Sequence, residues 1–149
     1  MTGSRKSDVL TRWVSFRLSG QLYGLAIREV QEVLASADIE PVPGAPPYVL
    51  GVINLRGHIV TVLDLRICLS SDSGTPNDSG CIVIVSAGTQ TMGFRVDGIA
   101  DVVSVPEARI QPPMELSTMA ASKCVRGMIK RGEEVLTLLD VTQLVPHSE

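Results

Sequence analysis

The sequence has few of the residues that mark several large classes of protein. Of its 149 residues only 3% are aromatic, and the formal net charge is −3. A nucleic-acid binder would normally show clustered Lys and Arg interleaved with aromatic side chains, and this sequence shows no such pattern. No apolar run reaches the ~18 residues that a membrane helix requires. These absences argue against DNA, RNA and the bilayer core as partners.

Cysteine and histidine are also scarce and lack the spacing of reactive sites. Cys68, Cys81 and Cys124 are odd in number and lie among aliphatic residues, which is typical of buried, reduced thiols in a cytosolic protein. The two histidines, His58 and His147, have no Cys, Asp or Glu at a ligand or triad spacing. Nucleotide-binding and nucleophile motifs are absent from the sequence. We therefore expect no metal, no cofactor and no catalytic residue.

The sequence is rich in short aliphatic runs. Hydrophobic residues make up 44% of the chain, and most are Val, Ile and Leu in runs of four to eight, separated by Gly, Pro, Asn and Asp. This pattern is typical of short strands in a barrel or sandwich. It predicts a mostly β fold. The predicted strands are 13–18, 21–27, 39–42, 52–55, 59–63, 82–86, 91–96, 102–105, 125–130 and 135–139.

One stretch near the second predicted strand has the spacing of a helix instead. Ile27, Val30 and Leu34 fall at positions i, i+3 and i+7, which places them on one face of an α-helix. The polar residues between them would then point elsewhere. The pattern predicts a helix of two turns at most over residues 28–35.

The two halves of the chain resemble each other. Residues 51–64 match residues 127–140, with Gly at the start and Asp at the end of both blocks. Upstream, residues 24–33 match residues 93–102. A repeat of this length that occurs only twice indicates two copies of one small strand-rich barrel.

The repeat also indicates how the domain is organised. The first barrel is expected mainly within 22–69 and the second mainly within 81–145, with strand exchange between them left open. A unit of about 60 residues buries too little surface to be stable alone, so the halves should share a core as one domain over 13–145. Residues 1–12 are expected to form a disordered lead-in. The polar segment 70–80 is expected to be a flexible loop between the halves.

Asp64 and Asp140 occupy the same position in the two copies, and two explanations are open. Symmetry-related carboxylates in a duplicated β protein are how an aspartic-protease dyad arises, so a β-barrel hydrolase is the remote alternative. Such a dyad needs a small hydroxyl residue and Gly after each Asp, and neither follows here. N-capping of short helices over 64–69 and 140–144 is the better explanation.

Arg56 is the clearest difference between the copies. Its aligned position in the second copy is Gly132, and residues 54–57 have the composition of a tight hairpin. The planar guanidinium suits bidentate binding of a carboxylate. Arg56 is therefore a candidate interface residue, with two other roles open: a solvated surface charge, or an internal ion pair with Glu32 or Asp64.

Short motifs in a fixed order run from about residue 13 to residue 145. They are Val14-Ser15-Phe16, Tyr23-Gly24, Val30-Gln31-Glu32-Val33, Pro43-x-x-Pro46, Gly51-Val52-x-Asn54-Leu55-Arg56-Gly57, Val62-x-Asp64-Leu65-Arg66, Gly93-x-x-Val96-Asp97-Gly98 and Leu138-Leu139-Asp140. Together these motifs closely resemble the CheW family of chemotaxis adaptor proteins. The resemblance implies two tandem five-stranded SH3-like β-barrels that share a hydrophobic core and carry short helices.

The resemblance also implies a function. CheW-like proteins are non-enzymatic adaptors of two-component signal transduction, coupling the cytoplasmic signalling tips of chemoreceptors (methyl-accepting chemotaxis proteins) to the regulatory domain of the histidine kinase CheA. The implied location is the cytoplasm, with recruitment to membrane-associated receptor arrays. The resemblance implies no cofactor, no binding of nucleic acid and no direct insertion into the membrane. The alternative within the same fold is an adaptor of a pilus-motility or other alternative chemosensory array.

Site residues carried over from the resemblance form two groups. An apolar trough with Arg and Glu at its rim can accept one face of a receptor helix and fix its orientation. The implied receptor-binding residues, in a groove between the halves, are Val30, Glu32, Val33, Gly51, Asn54, Arg56, Ile99 and Val102. The implied kinase-binding residues are Gln111, Met114 and Leu116.

Overall fold

The computed structural model describes residues 9–70, 80–112 and 124–144. Within these ranges ten strands and two short α-helices are present, together with 3-10 turns at Ile27–Glu29 and Glu107–Arg109. The strands are β1 Leu10–Leu18, β2 Gln21–Ala26, β3 Val30–Leu34, β4 Val49–Leu55, β5 His58–Asp64, β6 Cys81–Ala87, β7 Gln90–Val96, β8 Gly98–Pro106, β9 Val125–Arg131 and β10 Glu134–Leu139. The helices are α1 Leu65–Ser70 and α2 Val141–Leu144.

The ten strands of the described ranges form two five-stranded sheets with the same topology. Sheet A has the order β8-β1-β2-β10-β9, and sheet B has the order β3-β6-β7-β5-β4. Neighbouring strands are antiparallel except for β2 with β10 and β5 with β7, which are parallel. When each strand of sheet A is replaced by its equivalent in the other copy of the repeat, the strand order of sheet B results. Each sheet therefore contains strands from both halves of the chain, and the predicted mostly β architecture of two five-stranded units is confirmed.

Isolated backbone pairs join the outer strands of each sheet. Glu40, which follows the edge strand β3, exchanges two backbone hydrogen bonds with Val52 of the opposite edge strand β4, at 2.8 and 2.9 Å. Gln111, which follows β8, pairs in the same way with Met128 of β9, with both bonds at 2.8 Å. Pairing of this kind links the two edges of a sheet and leaves fewer unpaired backbone groups there. Both sheets are thus curled toward closure.

Two-residue turns set the register of the hairpins. Ser19 and Gly20 join β1 to β2 with φ of 53° and 80°, and Arg56 and Gly57 join β4 to β5 with φ of 50° and 89°. Positive φ at both central residues is the type I′ geometry, whose twist matches that of paired strands. The turn therefore holds Arg56 at the tip of its hairpin, as predicted.

A core between the sheets is shared by both. It contains the fully buried rings of Phe16 from sheet A and Phe94 from sheet B, together with apolar side chains of α1 and α2. A smaller buried cluster lies on the other face of each sheet, around Trp13 in sheet A and around Val62 in sheet B. Sheet B shows why β6 contains the continuous aliphatic run from Ile82 to Val85. Ile82 and Ile84 face the small cluster, while the valines between and after them face the shared core.

The helix predicted over residues 28–35 is wrong. A single 3-10 turn at Ile27–Glu29 leads directly into the strand β3, and burial along β3 alternates with a period of two. Val33 is exposed, whereas Val30 and Leu34 are half-buried. Val30 and Leu34, four residues apart, share a face in either a helix or a strand, and antiparallel pairing of the β-branched valines with β6 determines the outcome. The strand predicted over 39–42 is also wrong, since only the isolated pair at Glu40 is present there.

The predicted capping roles of the repeated aspartates are confirmed. The Asp64 carboxylate accepts the backbone N–H of Arg66 at 3.1 Å at the start of α1. The Asp140 carboxylate accepts the backbone N–H of Thr142 at 3.1 Å and its hydroxyl at 2.7 Å at the start of α2. Each Asp thus serves the first turn of its own helix. The carboxylates are two separate caps, which argues against the hydrolase alternative.

The ends and the central loop of the chain fall largely outside the described residues. The predicted loop lies mainly within 71–79, and the polar tail within 145–149, and neither segment is described. Residues 1–8 of the predicted lead-in are likewise outside the described ranges. Strand β1 begins at Leu10, three residues earlier than predicted, so the lead-in cannot extend to residue 12. The early start follows from backbone pairing of Leu10 with Pro106 of β8.

Candidate partner-binding groove

Two edge strands carry exposed aliphatic side chains at equivalent positions of the repeat. On β3, Val33 is 41% exposed, and on β8, Ile99 and Val102 are 39% and 53% exposed. Val30 and Val33 precede Ile99 and Val102 by the same 69 residues. Exposed aliphatic groups gathered on edge strands mark an interaction surface more often than isolated ones do. The structure therefore gives both halves an apolar wall of the same composition.

A contact near the beginning of β8 ties that strand to sheet B. Cys81, the first residue of β6, has a half-buried thiol that interacts with the backbone N–H of Ile99. Burial raises the pKa of the Cys81 thiol, and the N–H of Ile99 partly opposes this effect. Ile82, the next residue of β6, pairs with Leu34 at the end of β3. The first residues of β6 thus link the start of β8 to the end of β3.

A polar rim is formed by the β4–β5 hairpin and by β3. The guanidinium group of Arg56 contacts both carboxylate oxygens of Glu32, with Nη1 to Oε1 at 3.3 Å and Nη2 to Oε2 closer. The side chain of Asn54 accepts the backbone N–H of Gly57 at 2.8 Å and so stabilises the turn. Of the roles left open for Arg56, the structure shows the ion pair with Glu32, whereas Asp64 pairs with Arg66.

The ion pair also shifts the pKa values of both its members. The hydrogen bonds from Arg56 lower the pKa of the Glu32 carboxyl, and Glu32 in turn raises the pKa of Arg56. A carboxylate whose pKa is lowered by a partner keeps that interaction at neutral pH and loses it as the pH falls through the lowered value. The rim is therefore paired at neutral pH and opens in acid.

Replacing Arg56 by Ala is expected to raise the pKa of Glu32, because the hydrogen bonds to the ionised carboxylate disappear. The measurement is a pH titration of the Glu32 side-chain carboxyl by ¹³C NMR in both proteins. Glu134 is the internal control, since its pKa is lowered by Arg17 on the other sheet and should not change. An unchanged pKa of Glu32 in the variant would show that the pair does not form in solution.

Gly51 belongs to the same hairpin as Arg56 and is buried in β4. Its φ is +152°, and a Cβ atom built on it would lie 2.2 Å from the carbonyl oxygen of Glu40. Gly51 therefore permits the close approach of the two backbones that joins the edges of sheet B. It offers no side chain to a partner.

The residues implied to face the kinase are only partly described. Gln111 is exposed and holds its place through the backbone pair with Met128 on sheet A. Met114 and Leu116 lie outside the described residues. The Arg56 hairpin belongs to sheet B, so Gln111 and the polar rim are on different sheets.

Two other kinds of site are absent from the described part of the chain. Within it, no group of three or more His, Cys, Asp or Glu side chains is placed to share a metal ion. No helix in the described ranges is long and apolar enough to cross a membrane. The groove itself presents aliphatic walls with one guanidinium and one carboxylate at the rim.

Comparisons with known proteins agree with this geometry. The chemotaxis protein CheW of Treponema pallidum is 31% identical over 147 residues, which cover 96% of this chain and 86% of that protein. The chemotaxis protein CheW of Klebsiella aerogenes is 30% identical over 134 residues, which cover 90% and 81%. The crystal structure of the scaffolding protein TtCheW from Thermoanaerobacter tengcongensis matches with a TM-score of 0.82 at 28% identity, over 97% of this chain and 93% of that one. The family model of the CheW-like domain matches residues 12–149, and the chain therefore belongs to the CheW family.

Proposed function

We propose that this protein is a non-enzymatic chemotaxis adaptor that couples chemoreceptor signalling tips to the regulatory domain of a CheA-type histidine kinase. It would act in the cytoplasm at membrane-associated receptor arrays. Its membership of the CheW family supports this proposal, as do the names of its relatives, which are chemotaxis and scaffolding proteins. The structural observation that carries it is a pair of equivalent, exposed aliphatic walls on β3 and β8, with an ion pair beside only the first of them.

The groove suits one face of a receptor helix. Aliphatic side chains at i, i+3 and i+4 of such a helix can pack on the walls formed by β3 and β8. These walls are equivalent in the repeat and would accept a helix in either direction. Arg56 has no counterpart in the second half, where Gly132 occupies its position, so the rim distinguishes the two directions. The proposed receptor-binding residues are Val30, Glu32, Val33, Gly51, Asn54, Arg56, Ile99 and Val102.

The proposed kinase-binding residues are Gln111, Met114 and Leu116. Gln111 is exposed beside β9 of sheet A, whereas the polar rim is built on sheet B. A coupling protein must hold two partners at once, and surfaces on different sheets allow this. Binding to the kinase should therefore be insensitive to changes at the rim.

Replacing Arg56 by Ala is expected to weaken binding of a receptor signalling-tip fragment about tenfold, because an Arg is often among the few interface residues that carry most of the binding energy. Binding of the CheA regulatory domain should remain unchanged, as should the melting temperature. The measurement is a pull-down followed by titration calorimetry of both partners. Arg17→Ala is the matched control, since it removes another bidentate Arg–Glu ion pair, with Glu134 on sheet A.

Each result has a definite meaning. Selective loss of receptor binding in Arg56→Ala, with normal binding in Arg17→Ala, would support the groove and the adaptor function together. Equal receptor binding by wild type and Arg56→Ala would contradict the proposed site. Failure of the wild type to bind either chemotaxis partner would contradict the assignment to that pathway, and an adaptor of a pilus-motility or other array would then be the better hypothesis.

A further inference from the structure

A cleft of about 350 Å³ opens at the end of sheet A where β1 begins and β2 ends. Its floor is the indole of Trp13, which is 2% exposed. The guanidinium carbon of Arg126, at the start of β9, lies 5.7 Å from the centroid of the Trp13 ring. Arg12 and Arg28 complete the cationic lining. Three arginines from three parts of the chain thus line one cleft with an aromatic floor, and we name this site the arginine cleft.

The arginine cleft has unbalanced positive charge. Within the described ranges, Arg12, Arg28 and Arg126 form no ion pair with a carboxylate. None of the described residues that line the cleft is acidic. By contrast, the exposed Arg17 and Arg56 are each paired with a glutamate.

The repeat separates what the fold requires from what is particular to this cleft. A second cleft of about 320 Å³ lies at the equivalent end of sheet B, where Ile82 takes the place of Trp13. A cleft at this position is therefore a property of the fold. The three-arginine lining is not, because the repeat equivalents of these arginines are not basic, and the second cleft has one arginine, Arg95, at the position of Ala26. Arg12, Arg28 and Arg126 correspond to Cys81, Asp97 and Leu50.

We propose that the arginine cleft binds the carboxylates of a short acidic segment of a partner protein. A guanidinium group matches a carboxylate through two parallel charge-assisted hydrogen bonds. Leu10 is 62% exposed beside the cleft, and Ile27 is also exposed, so an aliphatic side chain between the acidic residues would find apolar contact. An extended polyanion such as a membrane surface or a nucleic acid fits less well, since the whole chain has a net charge of −3. Only the local charge is positive.

Trp13 is the only tryptophan and reports directly on the cleft. The full-length protein is titrated with the blocked peptide Glu-Glu-Leu-Glu-Glu, and with the neutral peptide Gln-Gln-Leu-Gln-Gln, while Trp13 emission is followed. The acidic peptide should give a saturable change that weakens as salt is raised. Arg12→Gln and Arg28→Gln should each weaken binding about two- to fivefold. Arg131→Gln, at the opposite end of β9, is the matched control and should bind as the wild type does.

Several outcomes would overturn the proposal. One is an equal change in Trp13 emission with the acidic and the neutral peptide. Another is equal affinity of the wild type, Arg12→Gln and Arg28→Gln for the acidic peptide. Tighter saturation of the same signal by inorganic phosphate would indicate a general anion site instead. Tighter saturation by phosphatidylglycerol vesicles would indicate a lipid surface. The three substituted arginines are exposed, and unchanged circular dichroism would show that the variants are folded.

Discussion

Gly51→Ala is expected to destabilise the protein by about 3–5 kcal/mol, which combines backbone strain with a steric clash. The strain arises because φ of Gly51 is +152°, a conformation that an L-residue with a side chain rarely adopts. The clash arises because the new Cβ would lie 2.2 Å from the carbonyl oxygen of Glu40. This carbonyl cannot simply move away, since Glu40 exchanges two hydrogen bonds with Val52.

Urea unfolding followed by circular dichroism measures this effect. Gly98→Ala is the matched control, because a Cβ at Gly98 would meet nothing within 4 Å and its φ is not in the positive range. It should stay within about 0.5 kcal/mol of the wild type. A loss of less than about 1 kcal/mol in Gly51→Ala would mean that the backbone at Glu40 adapts easily and that the closure of sheet B is soft.

Phe94→Ala is expected to lower the free energy of unfolding by about 3–5 kcal/mol, because it removes a fully buried ring and leaves a cavity. Phe94 lies on β7 of sheet B and is 0% exposed in the shared core. Sheet A packs on the same core through Phe16 and Leu25. The loss should therefore appear in both sheets at once.

Trp13 makes this cooperativity measurable, since the only tryptophan lies in the small cluster of sheet A. In urea, Trp13 emission and circular dichroism should shift to the same lower midpoint in the variant. Phe94→Leu has a smaller expected loss of about 1 kcal/mol. It allows the two unfolding midpoints to be measured if Phe94→Ala is too unstable. Val135→Ala, on an exposed position of β10, is the control. A Trp13 midpoint that stays at the wild-type value would show that sheet A is stable without sheet B.

Much of the fold was predictable because the shared core and the small clusters bury both faces of several strands. Strand β6 is an example, since its continuous aliphatic run follows from burial on both sides. The helix starts at Asp64 and Asp140 were predictable from local capping chemistry. The strand after Ile27 was not predictable in this way, because Val30 and Leu34 share a face in either a helix or a strand. Its strand conformation depends on pairing with β6, some 50 residues later in the sequence.

The sequence predicts which residues form the groove, but it does not predict which residues form the arginine cleft. The apolar walls recur at the same spacing in both halves, so their residues align from the amino-acid pattern alone. The partner of Arg56 could not be chosen between Glu32 and Asp64, because the choice depends on how sheet B curls. Arg12, Arg28 and Arg126 share no local motif. Only the pairing of β1 with β2, of β2 with β10 and of β10 with β9 brings them together.

The mixing of strands from both halves in each sheet has a consequence for the history of this chain. A polypeptide with a single copy of the repeat could complete such sheets only by exchanging strands with a second molecule, as a domain-swapped homodimer does. Fusing two copies makes that assembly intramolecular, with an effective concentration in roughly the millimolar range. Folding then no longer depends on protein concentration. The fused copies can also differ from each other in sequence, which identical subunits cannot do. Arg56 and its repeat equivalent Gly132 are one such difference.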